Sequence, residues 1–411
     1  MSEKKPEDYT MELGPMGPIG EGAALMLRVN RNCPWNQCLF CSVYKRGKFS
    51  ARSTAEIKED IDKARRIGDL LDCISRDMGL NGRVQPEVVE TAVRNHPEIY
   101  GEYPSKATGE QRLAVRSLNN TANWIRWGAR RVFLQDANAL FMKPGDLVEV
   151  LGYLKESFPT IDTVTTYARS KTCAQRSSEE LREIHDAGLS WCFVGIESGC
   201  DEVLDYMRKG AKQQEHISGG QKLMASGIKM AAFVMPGLGG GNRELSQRHT
   251  RDTNFVLNEI KPTEVRVRSL AVLESAPLFE RWESGEFQAP TDDQMVEELK
   301  ALINEIAFDC TFETLQMTNV FTLRGRLPAR RQSFLESINR YQTMGPLERA
   351  HFLFNRYCHG GYLGFIQSCG RDDSGLINKI QEAERSLERK APDAPEKVER
   401  AVLAIKSKGI P

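Results

Sequence analysis

The sequence lacks any run of 18 apolar residues, so nothing in it reads as a membrane-spanning helix. It has no excess of either charge: 56 Lys plus Arg balance 56 Asp plus Glu over 411 residues. That balance argues against a nucleic acid held obligatorily by bulk charge, while leaving room for a local basic patch. The opening MSEKKPEDYTMELGPMGPIGEG has no apolar signal core, and residues 1–23 read as a polar lead-in. Cysteine is sparse, 10 in the whole chain, which is too few for a disulfide scaffold. With no secretion signal, the thiols are expected to be reduced or metal-bound in a cytoplasmic protein. Gly237, Gly239, Gly240 and Gly241 are followed by no Gly-Lys-Ser/Thr, so they are read as a turn near a ligand and not as a phosphate loop. No repeat of the solenoid kind is present.

What is present is a regular alternation of short apolar runs and amphipathic stretches. Strands are expected at ALMLRVNR (24–31), VFLQDA (132–137), TVTTYAR (163–169), WCFVGIES (191–198), KMAAFVMPG (229–237) and EVRVRSL (264–270). Helices are expected between them, at 54–76, 144–158, 177–188, 201–210, about 213–226 and 244–260, with another at about 292–309. Residues 57, 61, 64 and 67 of the first helix are all apolar and share one face. Six strand–helix units imply an α/β fold, a parallel sheet with helices outside. They are too few for a closed eight-fold barrel, so a partial (β/α)6 TIM-like barrel over 24–309 is expected, its site at the C-terminal ends of the strands. A doubly wound open sheet is the alternative. Residues 77–128 read as a polar helical insertion, and 310–411 as a mostly helical extension that could cap the barrel. Tyr341, Tyr357, Cys358 and Tyr362 are then candidates to line a substrate pocket.

The segment RNCPWNQCLFC holds Cys33, Cys38 and Cys41 in a C-x4-C-x2-C spacing, directly after the first strand. No fourth Cys or His follows at a distance that would close a compact site. A structural zinc site takes four ligands, whereas a four-iron cluster held by three cysteines keeps one iron open. A zinc site completed from afar by Cys358, His359 or Cys369 is the alternative. Cys73, Cys173 and Cys192 read as core residues.

At these residues the chain resembles the radical S-adenosylmethionine (radical SAM) superfamily, over about 24–280. The usual family spacing is C-x3-C-x2-C; here the first gap is one residue longer, and Phe40 stands at the aromatic place before the last cysteine. The resemblance implies that Cys33, Cys38 and Cys41 bind a [4Fe-4S] cluster whose free iron chelates S-adenosylmethionine. Further cofactor contacts are implied at strand ends. Gln135, Asp136 and Asn138 of FLQDAN stand at the second, where the family's Gly-Gly-Glu is absent, and Arg169 of YARS at the third. Glu197 and Ser198 of GIESG, a common family form, stand at the fourth, and Met235 and Gly237 of MPGLGGG at the fifth. Glu197 would take the ribose hydroxyls and Arg169 the SAM carboxylate; VRSLAV (267–272) would offer backbone to the adenine. Bland readings stand beside these: a strand-end ion pair for Glu197, a helix cap for Asp136, a loop carbonyl partner for Arg169.

The activity the resemblance implies is reductive cleavage of SAM to a 5′-deoxyadenosyl radical, which abstracts hydrogen from a small-molecule or otherwise unidentified substrate. Oxidation, isomerisation and carbon–carbon bond formation all remain open outcomes. A flavodoxin- or ferredoxin-like donor would supply the electron, and the site would exclude oxygen. No cobalamin-domain signature and no second compact cysteine group occurs; Cys310, Cys358 and Cys369 are scattered. A non-enzymatic zinc- or cluster-binding module that senses redox state or binds a partner is the alternative from another class.

Overall fold

The computed structural model describes residues 5–15, 17, 20–102 and 106–409. The lead-in (1–23), the insertion (77–128) and the extension (310–411) each fall partly outside those residues. Eight strands form the main sheet: β1 Leu25–Arg28, β2 Arg131–Gln135, β3 Thr163–Ala168, β4 Leu189–Glu197, β5 Lys229–Val234, β6 Glu264–Val267, β7 Cys310–Glu313 and β8 Arg324–Leu327. They are ordered as in the sequence, β1 to β8. Sequential order is what an open (β/α) barrel requires; a doubly wound sheet reverses its order at a switch point. All six expected strands are there. The extension is mostly helical as expected, but it begins with two strands, β7 and β8, that the sequence did not reveal. The expected boundary at residue 309 falls immediately before β7, which pairs in parallel with β6 (Glu264 opposite Thr311). β8 closes this end antiparallel to β7.

The chain divides into two compact units: residues 1–34, 46–194 and 222–230, and residues 35–45, 195–221 and 231–411. In the first unit β1, β2, β3 and the start of β4 pair in parallel. Runs such as Val132, Phe133 and Leu134, all fully buried, show why the sequence reads there as continuous apolar stretches. The helix Thr54–Asp77 starts at a capping box in which Ser53 and Glu56 satisfy each other's backbone N–H. Ile57, Ile61, Ala64 and Ile67 are all fully buried. The insertion is helical as expected, with helices Pro86–Asn95, Pro97–Tyr100 and Gly109–Arg126. It is packed, not loose: Val88, Ala92, Ile99, Tyr100, Leu118 and Ala122 form one cluster with Ile67, Leu71 and Tyr9. From the last of these helices Asn120 reaches β1, accepting from the Met26 N–H and donating to the Met26 carbonyl, both at 3.1 Å.

In the second unit β5 from Ala231 onward pairs in parallel with β6. The helices Arg243–Ile260 and Asp292–Glu305 belong here, the latter begun by a Thr291–Gln294 capping box. Helices Arg331–Thr343, Pro346–Tyr357, Gly361–Ser368, Ser374–Glu388 and Ala394–Ser407 follow. The last four share a core of their own, with Phe354, Tyr357, Ile366, Leu387, Val402 and Ile405 at its centre.

Candidate functional site

Cys33 lies in the first unit, and Cys38 and Cys41 in the second. All three are half-buried, whereas Cys173, Cys192, Cys200, Cys310 and Cys358 are buried. Burial pushes the Cys173 and Cys310 thiols up to about 12, which keeps them protonated and poor ligands. Among the described residues, no group of three or more His, Cys, Asp or Glu side chains is gathered as a ready metal-binding set.

In the first unit the segment entering Cys33 is held by side chains. Asp136, at the end of β2 and fully buried, accepts through Oδ2 from Arg28 Nε (2.9 Å), Arg28 Nη2 (2.6 Å) and the Asn32 N–H (2.8 Å). Burial raises the Asp136 carboxyl, while the bonds from Asn32 and Arg28 oppose that rise. These contacts give Asp136 a holding role in the segment that leads to Cys33. Gln135 accepts from the Gly14 N–H at 2.9 Å. Asn138 is fully buried: it donates to Thr172 Oγ1 at 2.8 Å and accepts from the Arg169 N–H at 3.3 Å. The structure thus brings Asn138 and Arg169 together, with the half-buried Arg169 side chain at the β3 exit.

In the second unit the cysteine loop is docked by its own residues. Trp35 Nε1 donates to the Arg208 carbonyl at 2.7 Å, and the Leu39 N–H to the Met207 carbonyl at 3.0 Å. Leu39 and Phe40 pack with Val203, Met207, Met235, Leu238, Leu270 and Met295. Glu197, at the end of β4, takes a left-handed backbone (φ 64°), and its Oε1 lies 3.2 Å from Lys209 Nζ. A Cβ at Gly195 would stand 2.3 Å from that oxygen and 2.8 Å from the Lys209 nitrogen, so the first Gly of GIESG leaves the pair its space. The same Lys209 nitrogen sits 6.0 Å from the centre of the Phe40 ring. Two residues picked out from sequence, Phe40 and Glu197, therefore share one lysine.

A buried polar network that the sequence did not reveal supports these loops. Ser198 Oγ hydrogen-bonds His249 Nδ1 at 2.7 Å. His249 Nε2 stands 3.6 Å from Glu298, which accepts from Ser246 Oγ (2.5 Å) and the Gly237 N–H (2.7 Å). Ser198 and Gly237 thus have structural partners, and the Met235 N–H donates to the Glu197 carbonyl at 3.0 Å. Both new residues carry a signal in hindsight. His249 shares a buried helix face with Val256 and Ile260, and Glu298 stands among Met295, Leu299 and Leu302.

Burial lowers His249 to about 4, against a hydrogen bond to the Met235 backbone and the charge of Asp252. Burial raises Glu298 to about 7, against the bonds from Ser246 and Gly237. The contact is therefore a neutral imidazole facing a carboxyl that takes up a proton easily, and not an ion pair. Between about pH 4.5 and 7 the folded state holds the extra Glu298 proton, so stability falls as pH rises. Between about pH 4 and 6.5 the unfolded state holds the extra His249 proton, so stability rises. Each effect is on the order of 3 kcal/mol and they cancel over the shared window. Glu298→Gln is expected to unmask the rise, with the urea midpoint climbing from pH 4 to 6.5 relative to the parent. A variant whose pH profile parallels the parent's would disprove the assignment.

Tyr341, Tyr357, Cys358 and Tyr362 are not among the residues that line the cavity found in this unit. All four are buried, and the three tyrosine hydroxyls are bonded inside the unit: Tyr341 to Asp293 (2.7 Å), Tyr357 to the Thr318 carbonyl (3.0 Å) and Tyr362 to the Lys406 carbonyl (3.5 Å). That cavity lies between Leu270–Val272 beyond β6, Trp282, Ala289–Asp292 and the final helix at Glu399, Leu403 and Lys406.

No family model matches the chain. Among solved structures, its likeness extends to S-adenosylmethionine radical enzymes. One is coproporphyrinogen III oxidase (HemN) from Escherichia coli, 12% identical, covering 68% of this chain and 51% of that one, with a TM-score of 0.39. Another similar structure is the N-terminally truncated Elp3 of Methanocaldococcus infernus, 19% identical, covering 42% and 44%, with a TM-score of 0.35. Among curated proteins the chain is similar to the tRNA uridine(34) acetyltransferases of Methanocaldococcus jannaschii (24% identical over 119 residues) and Methanocaldococcus infernus (26% over 121 residues). Each match covers 29% of this chain and spans only 22% of the relative. No helix is long and apolar enough to cross a membrane among the described residues.

Proposed function

We propose that the protein is a radical SAM enzyme, with Cys33, Cys38 and Cys41 as the ligands of a [4Fe-4S] cluster. The observation that carries this reading is within the second unit: Lys209 joins Phe40 of the cysteine loop to Glu197 at the end of β4. A strand-end carboxylate is thereby tied to the loop that would hold the cluster. When bound, the cluster would supply the electron for reductive cleavage of SAM. The chain's own residues would bind and orient: Glu197 accepts from the ribose hydroxyls, Arg169 pairs with the methionine carboxylate, and Asn138 fixes the Arg169 backbone.

Anaerobic incubation with SAM and dithionite tests the reaction class before any substrate is known; 5′-deoxyadenosine is the expected product. One tightly held zinc per chain and no such product would point instead to a non-enzymatic metal-binding module. Glu197→Ala is expected to weaken SAM binding by about 1.5–3 kcal/mol, the loss of a charged hydrogen bond, with iron content unchanged. Unchanged affinity by calorimetry would count against the residue's role.

The substrate is proposed to be a small molecule reached through the second unit, and a flavodoxin- or ferredoxin-like protein the electron donor. An RNA substrate is a second reading, carried by the likeness to tRNA-modifying relatives over part of the chain. Binding of tRNA that weakens steeply with salt would favour it.

A further inference from the structure

The N-terminal arm carries a charged residue whose contacts converge on the segment that presents Cys33. Glu12 accepts from Arg28 Nη1 (3.0 Å), Arg31 Nε (2.7 Å) and Arg31 Nη2 (2.7 Å), and stands 3.5 Å from Arg52 Nε. Arg28 and Arg31 lie within five residues of Cys33 on its N-terminal side. Arg28 also grips Asp136, and Asp136 in turn accepts the backbone N–H of Asn32, the residue before the cysteine. Arg31 continues to Glu56 at 2.7 Å. Glu12 is thus the hub that joins both arginines.

The arm is fixed at several points. The Met11 N–H donates to Ser117 Oγ (2.9 Å), the Glu12 N–H to Asp60 Oδ2 (3.2 Å), and the Gly14 N–H to Gln135 Oε1 (2.9 Å). Tyr9 and Met11 are buried. Gly14 lies so close to Asp136 that an added Cβ would fall 2.0 Å from its Oδ1. A larger residue there would push the arm off the carboxylate that holds Asn32. Arm, arginines and Asp136 make one charge-assisted network, and such networks fix geometry more than they add stability.

We infer that the N-terminal arm, through Glu12 and Gly14, is a positioning element for Cys33. It fixes the backbone from Arg28 to Asn32 so that the first cysteine of the motif is presented in one place. The importance of that placement rests on the proposed cluster; the placement itself does not, and the two are tested separately. Full-length protein, metal-free, is alkylated with iodoacetamide, and each cysteine peptide is followed by mass spectrometry. Exposed Cys369 is the reference and buried Cys173 reports unfolding.

In Glu12→Gln and in Gly14→Ala, Cys33 is expected to react about tenfold faster while Cys369 and Cys173 keep their rates, as local opening without global unfolding requires. Glu12→Asp should restore much of the protection. Reconstituted Glu12→Gln should also lose its visible cluster absorption sooner than the parent. If Cys173 accelerates as well in Glu12→Gln or in Gly14→Ala, the other of the two is read instead, with a rise at Cys33 alone supporting the inference. Cys33 reactivity unchanged in the folded variants would overturn it. A parent that holds no four-iron cluster but shows the Cys33 protection would remove the cluster reading and leave the arm's role standing.

Discussion

Cys38→Ala should form no 5′-deoxyadenosine above background when incubated anaerobically with SAM and dithionite. It should also retain far less reconstituted iron than the parent. Three thiolates are the minimum for a four-iron cluster that keeps one iron open. With two, a second iron loses its protein ligand and the cluster is lost or degraded. Cys38 sits in a loop pinned on either side, by Trp35 to Arg208 and by Leu39 to Met207. Its removal therefore deletes the thiol proposed as a ligand without freeing the loop. Cys73→Ala and Cys369→Ala, at exposed positions outside the motif, should behave as the parent. Full cleavage activity in the Cys38→Ala protein would exclude the assignment of the motif.

A second large effect concerns stability. Arg52 is almost wholly buried, and its Nη1 lies 2.8 Å from Asp60 Oδ2; the two side chains are 4% and 3% exposed. Burial raises the Asp60 carboxyl even though the charges of Arg52 and Lys63 oppose it, which means desolvation wins over attraction at this site. Arg52→Met leaves Asp60 charged, buried and without its close partner; the nearest remaining cation is Lys63, 3.8 Å from Oδ1. A loss of about 3–5 kcal/mol is expected in urea unfolding at pH 7. Adding Asp60→Leu to Arg52→Met should recover most of it, because the pair as a whole is close to energetically neutral. A loss below about 1 kcal/mol in the single variant would show that the pair is solvated like a surface bridge.

Strands such as β2 (RVFLQ) and β5 (KMAAFV) could be read from sequence because they are compact, largely buried apolar runs of a parallel sheet. β7 and β8 could not. CTFE is four residues long, and RGRL is an edge strand with two exposed arginines, so neither carries a period that separates it from loop. The placement of the cysteine loop after β1, of Arg169 after β3 and of Glu197 at the end of β4 was legible in the sequence. Their supports were not. Ser198, His249 and Glu298 lie about fifty residues apart in sequence, and nothing local ties them together. Glu12 is as opaque: in a polar lead-in, a single glutamate gives no hint that two arginines beyond it need a common partner. The aromatics at 341, 357 and 362 were misplaced for a related reason. In the sequence they stand as pocket-lining candidates, yet each hydroxyl finds an acceptor inside the unit.

The reach of Asn120 to Met26 bears on how the sheet ends. β1 is the first strand in the order, so its outer N–H and C=O groups have no strand beside them. One carboxamide, with an acceptor and a donor side by side, offers Met26 what a neighbouring peptide would offer. The insertion thereby supplies one link of a missing ninth strand, and an incoming chain would first have to evict it. At the far end the protection is chemical: Arg324 and Arg326 line β8, and Pro328 follows with no N–H to give. A sheet guarded in both these ways is a poor template for another polypeptide, so edge-to-edge aggregation is disfavoured from the moment the helix bearing Asn120 docks.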